Sequence, residues 1–181
     1  MVESNLLKTV QGEVRTANGS YKYFKSRQEA REGEFTREVQ ILSQIKKKGL
    51  AGAHVRLPVL DSLVMANTGD EAVVGILMNL ITAPSPGCHL LSPGFKDRVD
   101  LHQKWEEQVC ASVQPLDSHD LVWGDVNPCN VAIDEDFNAW IIDFGGMNND
   151  EFVDDDKAET EEGDWQGVER LFGTCLSSRV S

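Results

Sequence analysis

Val122-Trp123-Gly124-Asp125-Val126-Asn127-Pro128-Cys129-Asn130-Val131-Ala132-Ile133, followed by Ala139-Trp140-Ile141-Ile142-Asp143-Phe144-Gly145-Gly146, is the stretch whose reading decides the fold. Val131–Ile133 and Ala139–Ile142 are short apolar runs, and Asp134-Glu135-Asp136-Phe137-Asn138 between them has the length and polarity of a hairpin loop. Antiparallel pairing sets the start of the first strand beside the end of the second. Asn130 and Asp143 are therefore expected to meet at the open end of the hairpin, with Asp125 reaching the same place from the entering loop. No Lys or Arg lies between Lys104 and Lys157 to neutralise these carboxylates locally. A few hard oxygen ligands of this kind suit Mg²⁺, which keeps waters and is completed by substrate phosphates.

Working outward, Tyr21, Tyr23 and Lys25 alternate on one face of a predicted strand that follows an Asn18-Gly19 turn. Arg31–Gly33 breaks the pattern, and a helix is expected from Glu34, with Phe35, Val39, Leu42 and Ile45 as its apolar stripe and Gly49 as its end. Leu57–Met65 and Ala72–Ile81 read as two strands joined by the turn Asn67-Thr68-Gly69-Asp70. The second, carrying Val73-Val74-Gly75-Ile76-Leu77-Met78, is nearly continuous in apolar residues and is expected at the centre of its sheet. Ala83-Pro84-Ser85-Pro86-Gly87 is a compact breaker and the candidate boundary between an N-terminal unit, 1–82, and a C-terminal one, 83–181. Leu101, Trp105, Val109 and Val113 then recur every fourth residue, predicting a long amphipathic helix that Pro115 should stop. From Asp150 to Asp164 nine carboxylates face one Lys, which reads as a mobile, solvated loop. Trp105, Trp140 and Trp165 are expected in the core and Trp123 at a cleft.

A chain of 181 residues with 40% hydrophobic content can bury a core. Its formal charge of −13 argues against nucleic-acid binding, which needs a basic footprint, and against anionic membrane surfaces. Met1–Lys8 has no run resembling a signal peptide, and no stretch is apolar enough to span a bilayer. Cys88, Cys110, Cys129 and Cys175 lack paired metal-ligand spacing, so reduced thiols in a cytoplasmic protein are expected. His54, His89 and His102 show no mutual ligand spacing, and His119 reads as a structural residue or a brace for the Asp125 loop.

The spacing Asp125-x-x-x-x-Asn130, then Asp143-Phe144-Gly145 after a hairpin, resembles the catalytic loop and metal-binding triplet of the protein kinase-like superfamily. Its Trp-Gly-Asp form is nearer the aminoglycoside and choline kinase branch and the small kinase-like proteins of fungi. The resemblance spans about residues 20 to 173. It implies an α+β, truncated two-lobed fold: a small antiparallel sheet with one helix, then a mostly helical lobe. It also implies transfer of the γ-phosphoryl group of ATP to a hydroxyl acceptor, protein or small molecule. Asp125 would orient or deprotonate that hydroxyl, and Asn130 and Asp143 would hold Mg²⁺ on the nucleotide phosphates. Lys25 would pair with Glu38 and grip the phosphates, with Lys22 the competing choice. Met78–Ile81, through Asn79 and Ile81, would present backbone groups to adenine, and Asp164 of Gly163-Asp164-Trp165 would brace the catalytic loop.

The chain departs from that pattern in four places. No Gly-rich loop precedes Lys25; Trp123-Gly124 replaces His-Arg; Asn127 stands where a Lys often follows the catalytic Asp; and the chain stops soon after Arg170-Leu171-Phe172. A partner protein could complete the short second lobe. Two other classes follow from these gaps: a pseudokinase that binds or scaffolds without turnover, and an acidic interaction module acting through Asp150–Asp164.

Overall fold

The computed structural model describes residues 11–67, 72–84, 87–95, 98–147 and 149–176, with backbone alone for 174–176. It is a mixed α+β fold. Strands β1 (Gly12–Arg15), β2 (Tyr21–Ser26), β3 (Leu60–Met65) and β4 (Val73–Asn79) form one antiparallel sheet in the order β1-β2-β4-β3. The apolar β4 is central, as its composition predicts, with Lys25 opposite Ile76 on one side and Leu63 opposite Ile76 on the other. The β1–β2 connection is a tight turn in which Asn18 Oδ1 accepts from Ser20 and Thr16 N–H donates to the Ser20 carbonyl. Residues 68–70 of the expected β3–β4 turn, and Ser85 and Pro86 of the expected breaker, lie outside the described residues.

Helix α1 (Glu32–Lys48) follows a short 3-10 turn, Glu29–Arg31, so the helix takes in Gly33 and begins two residues before the expected start. Glu32 and Glu34 in its first turn and Lys46–Lys48 in its last complement the helix dipole, and Gly49 closes it by donating to the Ile45 and Lys46 carbonyls. Leu42 and Ile45 are fully buried, while Phe35 and Val39 are half-buried against the core.

Helix α2 (Val99–Asp117) carries the predicted stripe: Trp105, Val109 and Val113 are completely buried. Pro115 does not stop it. A proline this close to the C-terminus removes a single ladder donor, and the fully buried Leu116 holds the last turn in place. That turn is closed by Ser118 N–H on the Gln114 carbonyl and Leu121 N–H on the Leu116 carbonyl. His119 Nδ1 lies 2.8 Å from the Pro115 carbonyl, which makes it part of this cap and not a brace for the Asp125 loop.

The expected hairpin forms. β5 (Val131–Ile133) pairs antiparallel with β6 (Ala139–Ile141), with Val131 opposite Ile141. It lies on α2, where Trp105 Nε1–H donates to the Phe137 carbonyl and Gln108 bonds both Asn138 and Ala139.

The acidic segment is a structured element, which corrects its reading as a solvated loop. Phe152 and Val153 are buried, Asp155–Lys157 is a 3-10 turn, and α3 runs from Glu161 to Arg170. Its carboxylates have local uses: Thr160 caps α3 through the Gly163 N–H, and Glu161, Glu162 and Asp164 occupy the helix's positive end. Asp154 pairs with Arg170 at 2.7 Å. Charge count hid the apolar residues that anchor the segment. Cys88, Cys110 and Cys129 are free thiols, and among the described residues no helix is long and apolar enough to cross a membrane.

Candidate functional site

Alternation along β2 turns Lys25 toward α1, and the helical step from Phe35 turns Glu38 toward β2. Their side chains meet at 2.7 Å, with Glu38 almost wholly buried. The same ammonium reaches Asp143 Oδ1 at 2.9 Å. The acidic site is therefore neutralised in part by a cation 118 residues away in sequence, not left bare as the local charge count suggested. Burial works against the Lys25 charge, but Glu38 and Asp143 outweigh it and hold the ammonium protonated above the ordinary lysine range. Burial pushes the Glu38 carboxyl up while Lys25 pulls it back, and the short contact keeps the pair as ammonium and carboxylate. The competing Lys22 pairs elsewhere, with Asp61 at 2.7 Å.

At the open end of the hairpin the Ile142 N–H donates to the Asn130 carbonyl at 2.9 Å, extending the β5–β6 ladder by one step and setting Asp143 beside Asn130. Asp143 has a left-handed backbone, φ 61, and its Oδ1 also accepts from the Gly145 N–H at 3.3 Å. Asn130 Nδ2 donates to Asp125 Oδ2 at 2.7 Å, and Asn127 Nδ2 donates to Asp125 Oδ1 at 2.9 Å. Asn127 Oδ1 in turn accepts from the Cys129 and Asn130 N–H groups, capping the 3-10 turn Pro128–Asn130. Sequence reasoning treated Asn127 only as a missing Lys, whereas it orients Asp125. Burial pushes the Asp125 carboxyl up. The two amides pull it partway back, and nearby Asp143 and Glu34 push in the same direction as burial.

The Asp125 loop is fixed from two further sides. Asp164, 1% exposed, accepts the Trp123 N–H on Oδ2 at 2.7 Å and the Gly124 N–H on Oδ1 at 2.8 Å. This is the brace expected from Gly163-Asp164-Trp165. Burial lifts its carboxyl to about 7 against the pull of those two donors. Trp123 is completely buried, and its Nε1–H donates to the Ile142 carbonyl, so it joins loop to hairpin and does not line the cleft. Trp165 is 38% exposed and donates to Asp117 Oδ2 at 2.5 Å, and so lies outside the core.

Arg37 was not anticipated. Its Nη1 donates to the Trp123 and Phe144 carbonyls and its Nη2 to the Val122 carbonyl at 3.0 Å, which ties α1 to both loops. A helical Arg beside a helical Glu reads as solvated, and carbonyl acceptors leave no mark in sequence. The signal that could have found it is the pair Gly124 and Gly146, both left-handed at φ 79 and 77 and both packed on its side chain.

A cavity of ≈ 230 Å³ opens onto Lys25, Glu38 and Asp143, while Asp125 and Asn130 do not line it. Tyr23, Met78, Ile81, Ala83, Ile133 and Ile142 give it an apolar wall, and Lys25, Glu38 and Asp143 form its polar end. A second, more polar cavity of ≈ 180 Å³ shares Lys25, Glu38 and Asp143 and continues past Glu34, Arg31 and Gly145. Asn79 lines the first cavity, but its N–H donates to the Val59 carbonyl and its Oδ1 accepts the Val59 N–H. This residue anchors the chain entering β3, and Ile81 lines the same cavity.

The donor chemistry fits a divalent cation. Asn130 spends its amide nitrogen on Asp125, leaving Oδ1. Asp143 spends one oxygen on Lys25 and Gly145, leaving Oδ2. Two hard oxygens are too few for a closed cage and suit a cation completed by water and phosphate. Comparison with known proteins returned no match: no family model fits the chain, and no curated protein is similar to it.

Proposed function

We propose that this chain is a two-lobed phosphotransferase of the protein kinase-like type, 1–82 and 83–181, that binds ATP with Mg²⁺ and passes the γ-phosphoryl group to a hydroxyl acceptor. The observation that carries this reading is the meeting of Lys25, Glu38 and Asp143 at 2.7 and 2.9 Å, beside the Asn130–Asp125 pair, at the polar end of a largely apolar cavity. Four segments far apart in sequence contribute, and each supplies the residue type that the chemistry needs.

The apolar wall takes the base, with Ile81 at the position for a backbone contact. Lys25, held by Glu38, places a fixed positive charge where the phosphates would lie. Asn130 and Asp143 would hold the Mg²⁺, which when bound neutralises charge on the phosphoryl oxygens. Asp125 accepts a hydrogen bond from the acceptor hydroxyl and takes its proton as the new O–P bond forms and the bond from the γ-phosphorus to the β–γ bridging oxygen breaks, with ADP leaving. Its burial keeps the carboxyl basic enough for that role, and Asn127 and Asn130 keep it aimed.

The test is γ-phosphate release or transfer from ATP by the parent and by Asp125→Asn. The expected result is turnover abolished in the variant with nucleotide affinity unchanged, because Asp125 touches the acceptor and not the nucleotide. One observation favours a second reading, a nucleotide-binding module without turnover: both Asp125 oxygens already accept amide hydrogens. That reading gives equal binding and no turnover in both proteins.

A further inference from the structure

We infer that Arg37 is a positioning residue that fastens α1 to the Asp125 loop and the Asp143 loop together, so that the Lys25–Glu38 pair is built into the fold and needs no separate signal to assemble it. The inference deepens the proposed nucleotide site and rests on that reading for its functional meaning. It starts from adjacency: Arg37 precedes Glu38 on α1. Any displacement of α1 that parts Glu38 from Lys25 must also pull the guanidinium from the Val122, Trp123 and Phe144 carbonyls.

The attachment is specific to a guanidinium. Its planar fork reaches carbonyls on two different loops at once, whereas an ammonium on a flexible stem is a point charge. The slot is shaped to match. A Cβ at position 124 would lie 2.5 Å from Arg37 Nη2, and one at position 146 would lie 3.4 Å from its Cδ. Both glycines also adopt the left-handed backbone, so the chain passes close to the side chain on either side.

Arg37 and Asp164 act on the same residue, Trp123, from the two peptide units on either side of its Cα. The Trp123 N–H donates to Asp164 and the Trp123 carbonyl accepts from Arg37, which clamps the loop two residues before Asp125 between α3 and α1. No charge added to the chain is needed to complete this arrangement. The site is assembled constitutively.

The experiment uses the full chain as parent, Arg37→Lys and Arg37→Ala, each first checked for a cooperative thermal transition. Acylation of Lys25 by an amine-reactive ester is followed by peptide mass spectrometry, with Lys22 as internal control. Lys25 should react faster by about tenfold in Arg37→Ala and by a smaller factor in Arg37→Lys, the scale set by losing charge-assisted bonds that hold the closed arrangement, with Lys22 unchanged. Lys25 protected as in the parent, in whichever of the two variants folds, overturns the inference; should the Ala variant fail to fold, the Lys variant decides. Nucleotide titration of the parent runs in parallel. Absence of binding there refutes the proposed function while leaving the labelling comparison to judge Arg37.

Discussion

A buried carboxylate with two backbone donors is a demanding arrangement, and Asp164 carries it at the base of the Asp125 loop. An amide in its place offers one acceptor oxygen, so Asp164→Asn must leave either the Trp123 or the Gly124 N–H without a partner. The expected loss is about 1–3 kcal/mol in chemical denaturation. The pH dependence has a definite sign. Because the folded carboxyl stands near 7 against an ordinary 3.8, the folded state binds its proton more tightly than the unfolded one. Its contribution to stability is therefore complete below about pH 3.8 and is lost as pH rises to about 7. The stability of the parent relative to Asp164→Asn should fall across that window, and a flat difference would show that the carboxylate stays ionised throughout. Asn127 gives the second prediction at this scale. Its amide pulls the Asp125 carboxyl down, so Asn127→Ala should move the acid limb of the kcat/KM profile to higher pH. An unchanged limb would mean that Asp125 is not the group being titrated. Sequence could name Asp125, Asn130 and Asp143 because their chemistry is carried by side chains. Arg37 and the true role of Asn127 stayed hidden because their acceptors include backbone carbonyls or a neighbour two residues away.

Strand β2 and helix α1 are joined through one ion pair, and its energetics belong to the two elements together. Removing Lys25 alone leaves Glu38 buried beside Asp143 without its cation, a loss of about 3–5 kcal/mol. Lys25→Met should therefore be less stable than the double variant Lys25→Met/Glu38→Met, in which an apolar contact replaces the pair. Denaturant titration of the parent, both single variants and the double closes that cycle; a double variant that loses the full sum of the single losses would show that the pair is not coupled. The elements also show where pattern reading succeeds. The α1 and α2 stripes and the β5–β6 hairpin were legible because burial repeats with the period of the backbone. Pro115 misled because the cost of a proline depends on how many donors remain beyond it, and the buried Leu116 outweighs a single lost bond. The segment from Asp150 to Asp164 misled because repeated charge obscured Phe152 and Val153, two apolar residues that fix the entry to α3.

Across the whole molecule, a net charge of −13 sets a background that disfavours any polyanion, which a nucleotide site of the proposed kind would have to overcome locally. Lys25 does so at one point. Glu38 and Asp143 pair with it, Asp125 and Glu34 add negative charge near Asp143, and a bare triphosphate would meet these carboxylates as like charges. The central place of β4 and the β5–β6 hairpin followed from apolar runs and spacing, and the meeting of Lys25 with Glu38 was what the resemblance implied. The packing of α1 against both loops followed from neither, since it joins residues near 37, 123 and 144 through contacts that no local pattern encodes. The proposed function requires a nucleotide that enters only with its cation, which calorimetric titration with ATP reads directly. Binding heat is expected in the presence of Mg²⁺ and none in its absence, with loss of both affinity and metal dependence in Asp143→Ala. No binding under either condition would contradict the proposed function.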